Sequence, residues 1–319
     1  MTYPSLAGTR FVLSAVAGAG VSRIVYRVLS KRLPAPVSES AEPAEPGDSS
    51  EWTRGHASTG GSGGGAATPG DQPAPAGAHR PRWWRTNYAG APVSLFGGPA
   101  AVLGTLAGSL AAGRPRHAAV IGVVGAVGLY DDLFGTSARR GLRGHLAGLR
   151  NGEVTTGAVK VAGIGMAALA GAALDPDADL RSVRGLLDVV VDAAVVAGTA
   201  NLVNLLDLRP GRATKATAAV GLPIAVAGGP VGGALAALAS TAPADLAAAT
   251  MLGDCGANGA GAAVALALVE VAPRPVVVGW LAVVTGLTLV SERVSFSSVI
   301  ERVSWLRRLD RAGRPPSPA

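Results

Sequence analysis

Two adjacent carboxylates, Asp131 and Asp132, close an apolar run that begins at Ala118. Side by side they repel unless a proton or cation compensates, and at the end of a membrane span they are costly. The pair therefore points to a divalent metal or a phosphate-handling site. The plainer reading makes them polar residues marking a helix end. Other polar residues break apolar sequence in the same way: Lys160, then Asn201, Asn204 and Asp207, then Arg209 and Arg212, and finally Asp254 within Gly253-Asp254-Cys255-Gly256. Asn201 and Asn204 share a helical face at i, i+3, where they also suit hydrogen bonding between helices. Lys160 has the stem to snorkel to an interface. Arg209 and Arg212, with Pro210-Gly211 between them, are either phosphate clamps or positive charge marking one side of a membrane.

The elements that must hold these groups are membrane spans. Of 319 residues, 49% are hydrophobic and only 15% charged, and the mean hydropathy is +0.36. This profile describes an all-α polytopic membrane protein rather than a soluble domain. The net charge of +7 fits span-flanking Lys and Arg facing anionic lipid. No basic patch interleaved with aromatics occurs, so no nucleic-acid partner is expected. One cysteine, Cys255, excludes an intramolecular disulfide and any multi-Cys metal site.

The apolar segments, in order, are about 6–26, 99–112, 118–132, 154–174, 186–203, 216–228, 231–242, 260–271 and 276–290. Several are shorter than the roughly 20 residues a bilayer needs, so about nine to ten transmembrane helices are expected. Residues 1–33 form the first, ending in Arg23, Arg27, Lys31 and Arg32. Residues 34–81, rich in Pro, Gly and Ser, read as a disordered linker. The multi-span domain occupies 82–294, entered through Trp83 and Trp84 at a membrane interface. Residues 295–319 form a tail in which Phe296, Val299, Ile300, Val303 and Leu306 recur at helical spacing, an amphipathic helix on the leaflet surface.

Parity gathers the polar motifs. The odd-numbered spans all leave on one side, so Asp131-Asp132, Asn201 to Arg212, Asp254 and Glu292-Arg293 share a face. That face also carries most of the Lys and Arg, which makes it cytoplasmic. A cytoplasmic site lined by Asp, Asn and Arg suits a Mg2+-bound diphosphate.

The ordered run Asn87-Tyr88-Ala89-Gly90 with Gly97-Gly98, then Asp131-Asp132, then Asn201-x-x-Asn204-x-x-Asp207, then Gly253-Asp254-x-Gly256 resembles the polyprenyl-phosphate N-acetylhexosamine-1-phosphate transferases, which include the phospho-MurNAc-pentapeptide translocases. The resemblance covers most of the chain outside the linker. It implies transfer of a sugar-1-phosphate from a UDP-sugar to a plasma-membrane polyprenyl phosphate, with release of UMP, in cell-envelope glycan synthesis. It further implies Mg2+ ligated by Asp254 and Asn204, and Asp131 and Asp132 handling the lipid phosphate as catalytic groups. Asp207 and Lys160 would contact substrate, with Asn201 beside them, and a homodimer is compatible with the family. Arg209 and Arg212, read from their own charge and spacing, would join the substrate contacts as phosphate clamps.

Two departures set this chain apart. The family follows its Asn-x-x-Asn-x-x-Asp with Gly-x-Asp-Gly, whereas Leu208-Arg209-Pro210-Gly211 stands here, and no histidine occurs after His145. They motivate a rival expectation, a non-catalytic relative that binds polyprenyl lipid or scaffolds envelope synthesis. A small-molecule transporter fits less well, because it would carry ionisable residues near the bilayer midplane.

Overall fold

The computed structural model describes residues 4–33, 82–87, 90–135 and 155–315. The expected linker, and the basic loop with Arg139, Arg140, Arg143, His145 and Arg150, lie outside the described residues. Helices α1 (Pro4–Arg32), α2 (Gly97–Ala111), α3 (Pro115–Phe134), α4 (Thr156–Ala173), α5 (Val183–Leu206), α6 (Arg212–Val226), α7 (Gly232–Leu246), α8 (Gly253–Val271) and α9 (Arg274–Ser291) coincide with the apolar segments. Six of them, α1, α3, α4, α5, α8 and α9, are long and apolar enough to cross a bilayer. Helices α2, α6 and α7 have 15 residues each. That length gives about 22 Å of rise against about 30 Å of hydrocarbon. The chain is thus an all-α protein of membrane type, in which six helices meet the length and composition for a span.

Helix starts follow local chemistry. Thr155 accepts the Ala158 N–H at the start of α4, and Ser182 accepts the Gly185 N–H at the start of α5, both at 3.1 Å. Between α6 and α7, Gly228 adopts φ +86° and Pro230 follows, which ends one helix and redirects the chain.

Helix α8 is the axis of the bundle. Every residue from Cys255 to Leu268 is buried, as expected of a helix that is apolar all round. Its small side chains let neighbours come close, since a Cβ on Gly261 would sit 2.6 Å from the Thr199 carbonyl oxygen of α5. Helices α2, α3, α5 and α6 surround it. At the flank, α1 packs on α2 and α7 through Gly18, Gly108 and Gly233.

Two features depart from the all-helical expectation. A short antiparallel hairpin pairs β1 (Trp84–Thr86) with β2 (Pro92–Ser94), and Ser94 continues into a parallel bridge with Thr250. Trp84 meets Phe96 edge-on at 5.6 Å and Trp83 meets it tilted at 6.1 Å, so both paired tryptophans pack against the start of α2. The tail is two short helices rather than one, α10 (Phe296–Arg302) and α11 (Ser304–Arg311). The break falls at Val303, which is extended (φ −90°, ψ 113°). It turns α11 so that Asp310 reaches Arg212.

Candidate functional site

The end of α3, the start of α4, the end of α5 and the start of α8 converge. Lys160 Nζ lies 2.8 Å from Asp131 Oδ2 and 2.7 Å from Asp254 Oδ2. All three side chains are mostly buried, 13–23% exposed. Asp131 and Asp254 are also within hydrogen-bonding reach of each other. Two carboxylates so close need a positive charge between them, and Lys160 supplies it. The lysine is thus drawn into the acid pair instead of extending along the helix to an interface.

Asp132 does something different. Its Oδ1 accepts the backbone N–H of Asp254 at 3.0 Å and its Oδ2 that of Cys255 at 2.8 Å. Asp207 Oδ2 accepts the N–H of Gly253 at 2.7 Å. Two carboxylates from two other helices therefore satisfy the first three N–H groups of α8, which intrahelical bonds leave unmet. Gly253 has φ +60°, and a Cβ there would lie 2.8 Å from Asp132 Oδ2, so only glycine lets the acid approach. Asp207 itself is buried: burial, reinforced by the nearby Asp245 charge, pushes its carboxyl well above the ordinary range despite the Gly253 hydrogen bond.

Asp245, at the end of α7, accepts the Gly211 N–H at 3.0 Å and the Thr214 hydroxyl at 2.9 Å, which fixes the turn before α6. A cavity of about 210 Å³ opens beside it, lined among others by Asn87, Asp207, Arg209, Asp245 and Met251. Asn201 and Asn204 are half-buried on α5. Among the described residues neither side chain makes a hydrogen bond, and no group of three or more His, Cys, Asp or Glu is placed to hold a metal.

The basic residues after Asp207 face the tail. Arg212, nearly buried, donates to Asp310 at 2.9 and 3.3 Å and to Ser297 at 2.9 Å. Arg209 pairs with Glu301 at 3.0 Å. Lys215 donates to the Leu309 and Asp310 carbonyls at 3.1 and 2.7 Å, and Arg314 pairs with Asp310 at 2.8 Å. Burial works to raise the Asp310 carboxyl, but the hydrogen bond and charge of Arg212, with Arg314 and Lys215, hold it below the ordinary carboxylate value. The structure therefore gives Arg212 an acidic partner from the chain's own C-terminal segment.

Sequence reasoning placed Asp131, Asp132, Asp207 and Asp254 at one end of the bundle, and the structure brings them together with Lys160. It missed Arg85, which donates from β1 to the Asp132 carbonyl oxygen and ties the hairpin to the end of α3. Its neighbours Trp83 and Trp84 marked the stretch as interfacial and hid that role. It also missed Asp310 as the partner of Arg212, a pairing whose members stand 98 positions apart, with no local signal. A second cavity, of about 660 Å³, lies away from this cluster, at the opposite ends of the same helices. Its three arginines each pair with carboxylates of the lining. No protein-family model, curated protein or solved structure matches the chain.

Proposed function

We propose that the protein transfers a sugar-1-phosphate from a UDP-sugar to a membrane polyprenyl phosphate, releasing UMP, with Mg2+ as cofactor. The observation that carries this reading is the Lys160 ammonium held between Asp131 and Asp254 at 2.7–2.8 Å. In this reading α2, α6 and α7 cross the bilayer with the six longer helices. The face bearing Arg209, Arg212, Lys215 and the tail arginines is then the cytoplasmic side of the plasma membrane.

The donor set fits Mg2+ of a particular kind. Mg2+ commonly takes one or two carboxylates and completes its shell with water and substrate phosphates. Asp254 would hold it as the carboxylate ligand, with Asn204 on α5 as the further oxygen donor, while Asp131 keeps its pairing with Lys160. When bound, Mg2+ neutralises diphosphate charge.

The chain's own residues do the rest. A lipid-phosphate oxygen attacks the sugar-bearing phosphorus, forming one P–O bond while the bond to the bridging oxygen breaks and UMP leaves with that electron pair. Asp131 keeps the attacking phosphate deprotonated. Lys160 neutralises the transferring phosphoryl group, the positioning and charge work on which phosphoryl transfer depends. The helix N-terminus of α8 does not bind phosphate, because Asp132 and Asp207 occupy its N–H groups. The cavity between Asn87, Asp207 and Arg209 receives the nucleotide.

The test is UMP release from purified protein given Mg2+, polyprenyl phosphate and a panel of UDP-sugars. Release that needs metal, lipid and Asp254 supports the transferase, and no release with any donor from folded protein overturns it. A second reading, a lipid-binding scaffold without turnover, draws on the engagement of Arg212 by Asp310, which leaves that guanidinium neutralised. Lipid binding retained in Asp254→Asn with no turnover in the parent protein would favour it.

A further inference from the structure

At the ends of the helices opposite Lys160, a cup of about 660 Å³ is bounded by the α2–α3 turn, the α4–α5 loop, the first turns of α5, the end of α8 and the start of α9. We propose that this cup binds a small organic cation carrying more than one amine. The assignment stands on charge, size and one unsatisfied group.

All three guanidinium groups in the lining are committed to wall carboxylates. Arg114 forks onto Glu270 at 2.5–3.1 Å. Arg116 pairs with Asp175 and donates to the Gly171 carbonyl at 2.8 Å. Arg274 pairs with Asp192 and, at 2.8 Å, with Asp188. The same lining holds Asp177 and Asp179, which make no ion pair among the described residues. Six carboxylates therefore face three guanidinium groups, and the surplus is negative. A concave, partly desolvated surface with one sign of charge concentrates the opposite sign.

The surplus is spread around the rim instead of converging. Among the described residues no group of His, Cys, Asp and Glu is placed to hold a metal ion, so a point cation gains little here. The volume is that of a small-molecule site, and distributed carboxylates match amines spaced along a chain through charge-assisted hydrogen bonds. On the floor His117 is 3% exposed, and its Nε2 has no hydrogen-bond partner. That nitrogen stands 3.3 Å from Glu270 Oε2 without the alignment of a hydrogen bond. An amine N–H donated there would satisfy the imidazole and meet the Glu270 carboxylate together, which no group of the described chain does.

The proposal does not rest on the transferase reading, and its test reads binding instead of UMP. Full-length protein in a neutral detergent is titrated with spermidine by calorimetry. Saturable single-site binding is expected, weakened at least about tenfold in Asp192→Asn and unchanged in Asp254→Asn at the other end of the bundle. Asp177→Asn, whose carboxylate makes no ion pair or hydrogen bond among the described residues, is expected to weaken binding in the same direction, so misfolding of Asp192→Asn does not decide the outcome. Absence of saturable binding, equal binding in the lining variants, loss only in Asp254→Asn, or displacement of spermidine by equimolar Mg2+ would each overturn the assignment.

Discussion

The Asp132 carboxylate accepts the backbone N–H of Asp254 at 3.0 Å, so two acids that look alike in sequence are structurally unequal. Asp132 builds the turn that presents Asp254, whose own side chain turns to Lys160. Asp131, one residue earlier, joins Asp254 on that lysine.

Asp132→Ala leaves the Asp254 and Cys255 N–H groups unpaired at a mostly buried helix start. A stability loss of ~1–3 kcal/mol is expected, lowering Tm in detergent by several degrees. Asp132→Asn keeps an acceptor and should lose less. Equal melting of the alanine variant and the parent would remove Asp132 from the capping role.

Lys160→Met removes the charge between Asp131 and Asp254. UMP release is expected to fall by about 10²–10³-fold, with lipid binding largely kept. A small change in kcat would show that the lysine only balances the two acids in the resting protein.

Gly128→Ala tests how tightly α3 meets α8, because the added Cβ would lie 2.3 Å from the Asp254 carbonyl oxygen and 2.8 Å from the Cys255 nitrogen. Backbone atoms give way only by moving the turn, so a cost of ~1–3 kcal/mol or more is expected, together with loss of UMP release. Gly165→Ala on α4, where nothing lies within 4 Å, serves as the control and should leave both unchanged.

Asp207 makes stability depend on pH with a definite sign. Its carboxyl titrates well above the ordinary value of 3.8 when folded, so the folded chain holds the extra proton across that window. Stability contributed by this group is therefore present at low pH and declines as pH rises from the ordinary value through the raised one. Asp207→Asn keeps an acceptor for Gly253 and should flatten that decline in Tm measured across mildly acidic to neutral pH. An unchanged slope would assign it to other groups.

Asp310 has the opposite sign. Held below 3.8 by Arg212 and its neighbours, it supports tail docking fully above the ordinary carboxylate value, and that support is lost as pH falls through the lowered one. Hydrogen-exchange protection over 296–315, corrected for the intrinsic rate at each pH, should fall in acid, and in Asp310→Asn at neutral pH. Protection indifferent to both would show that apolar contacts alone seat the tail.

The sequence by itself determined where the helices lie but not all of their ends, since the run read as 260–271 begins at Gly253 and the one read as 216–228 at Arg212. Apolar runs bounded by Gly113, Gly228-Gly229-Pro230 and Pro273 are local signals, because backbone hydrogen bonding and burial act within each segment. Parity then put Asp131, Asp207 and Asp254 at one end of the bundle, since helices joined by short turns alternate direction. Tertiary structure alone decided what each group does there. Asp132 became a cap and Asp131 a partner of Lys160 because adjacent residues on a helix point about 100° apart, and only the position of α8 says which one meets its N–H groups. Lys160 could have lain along the helix toward an interface, but two carboxylates from other helices drew it inward. Arg212 read as either a phosphate clamp or a charge marking one side of a membrane, and only the fold brought Asp310, almost a hundred residues later, to rest against it. Such pairings depend on which helix ends meet in space, and no local property of either residue encodes that meeting.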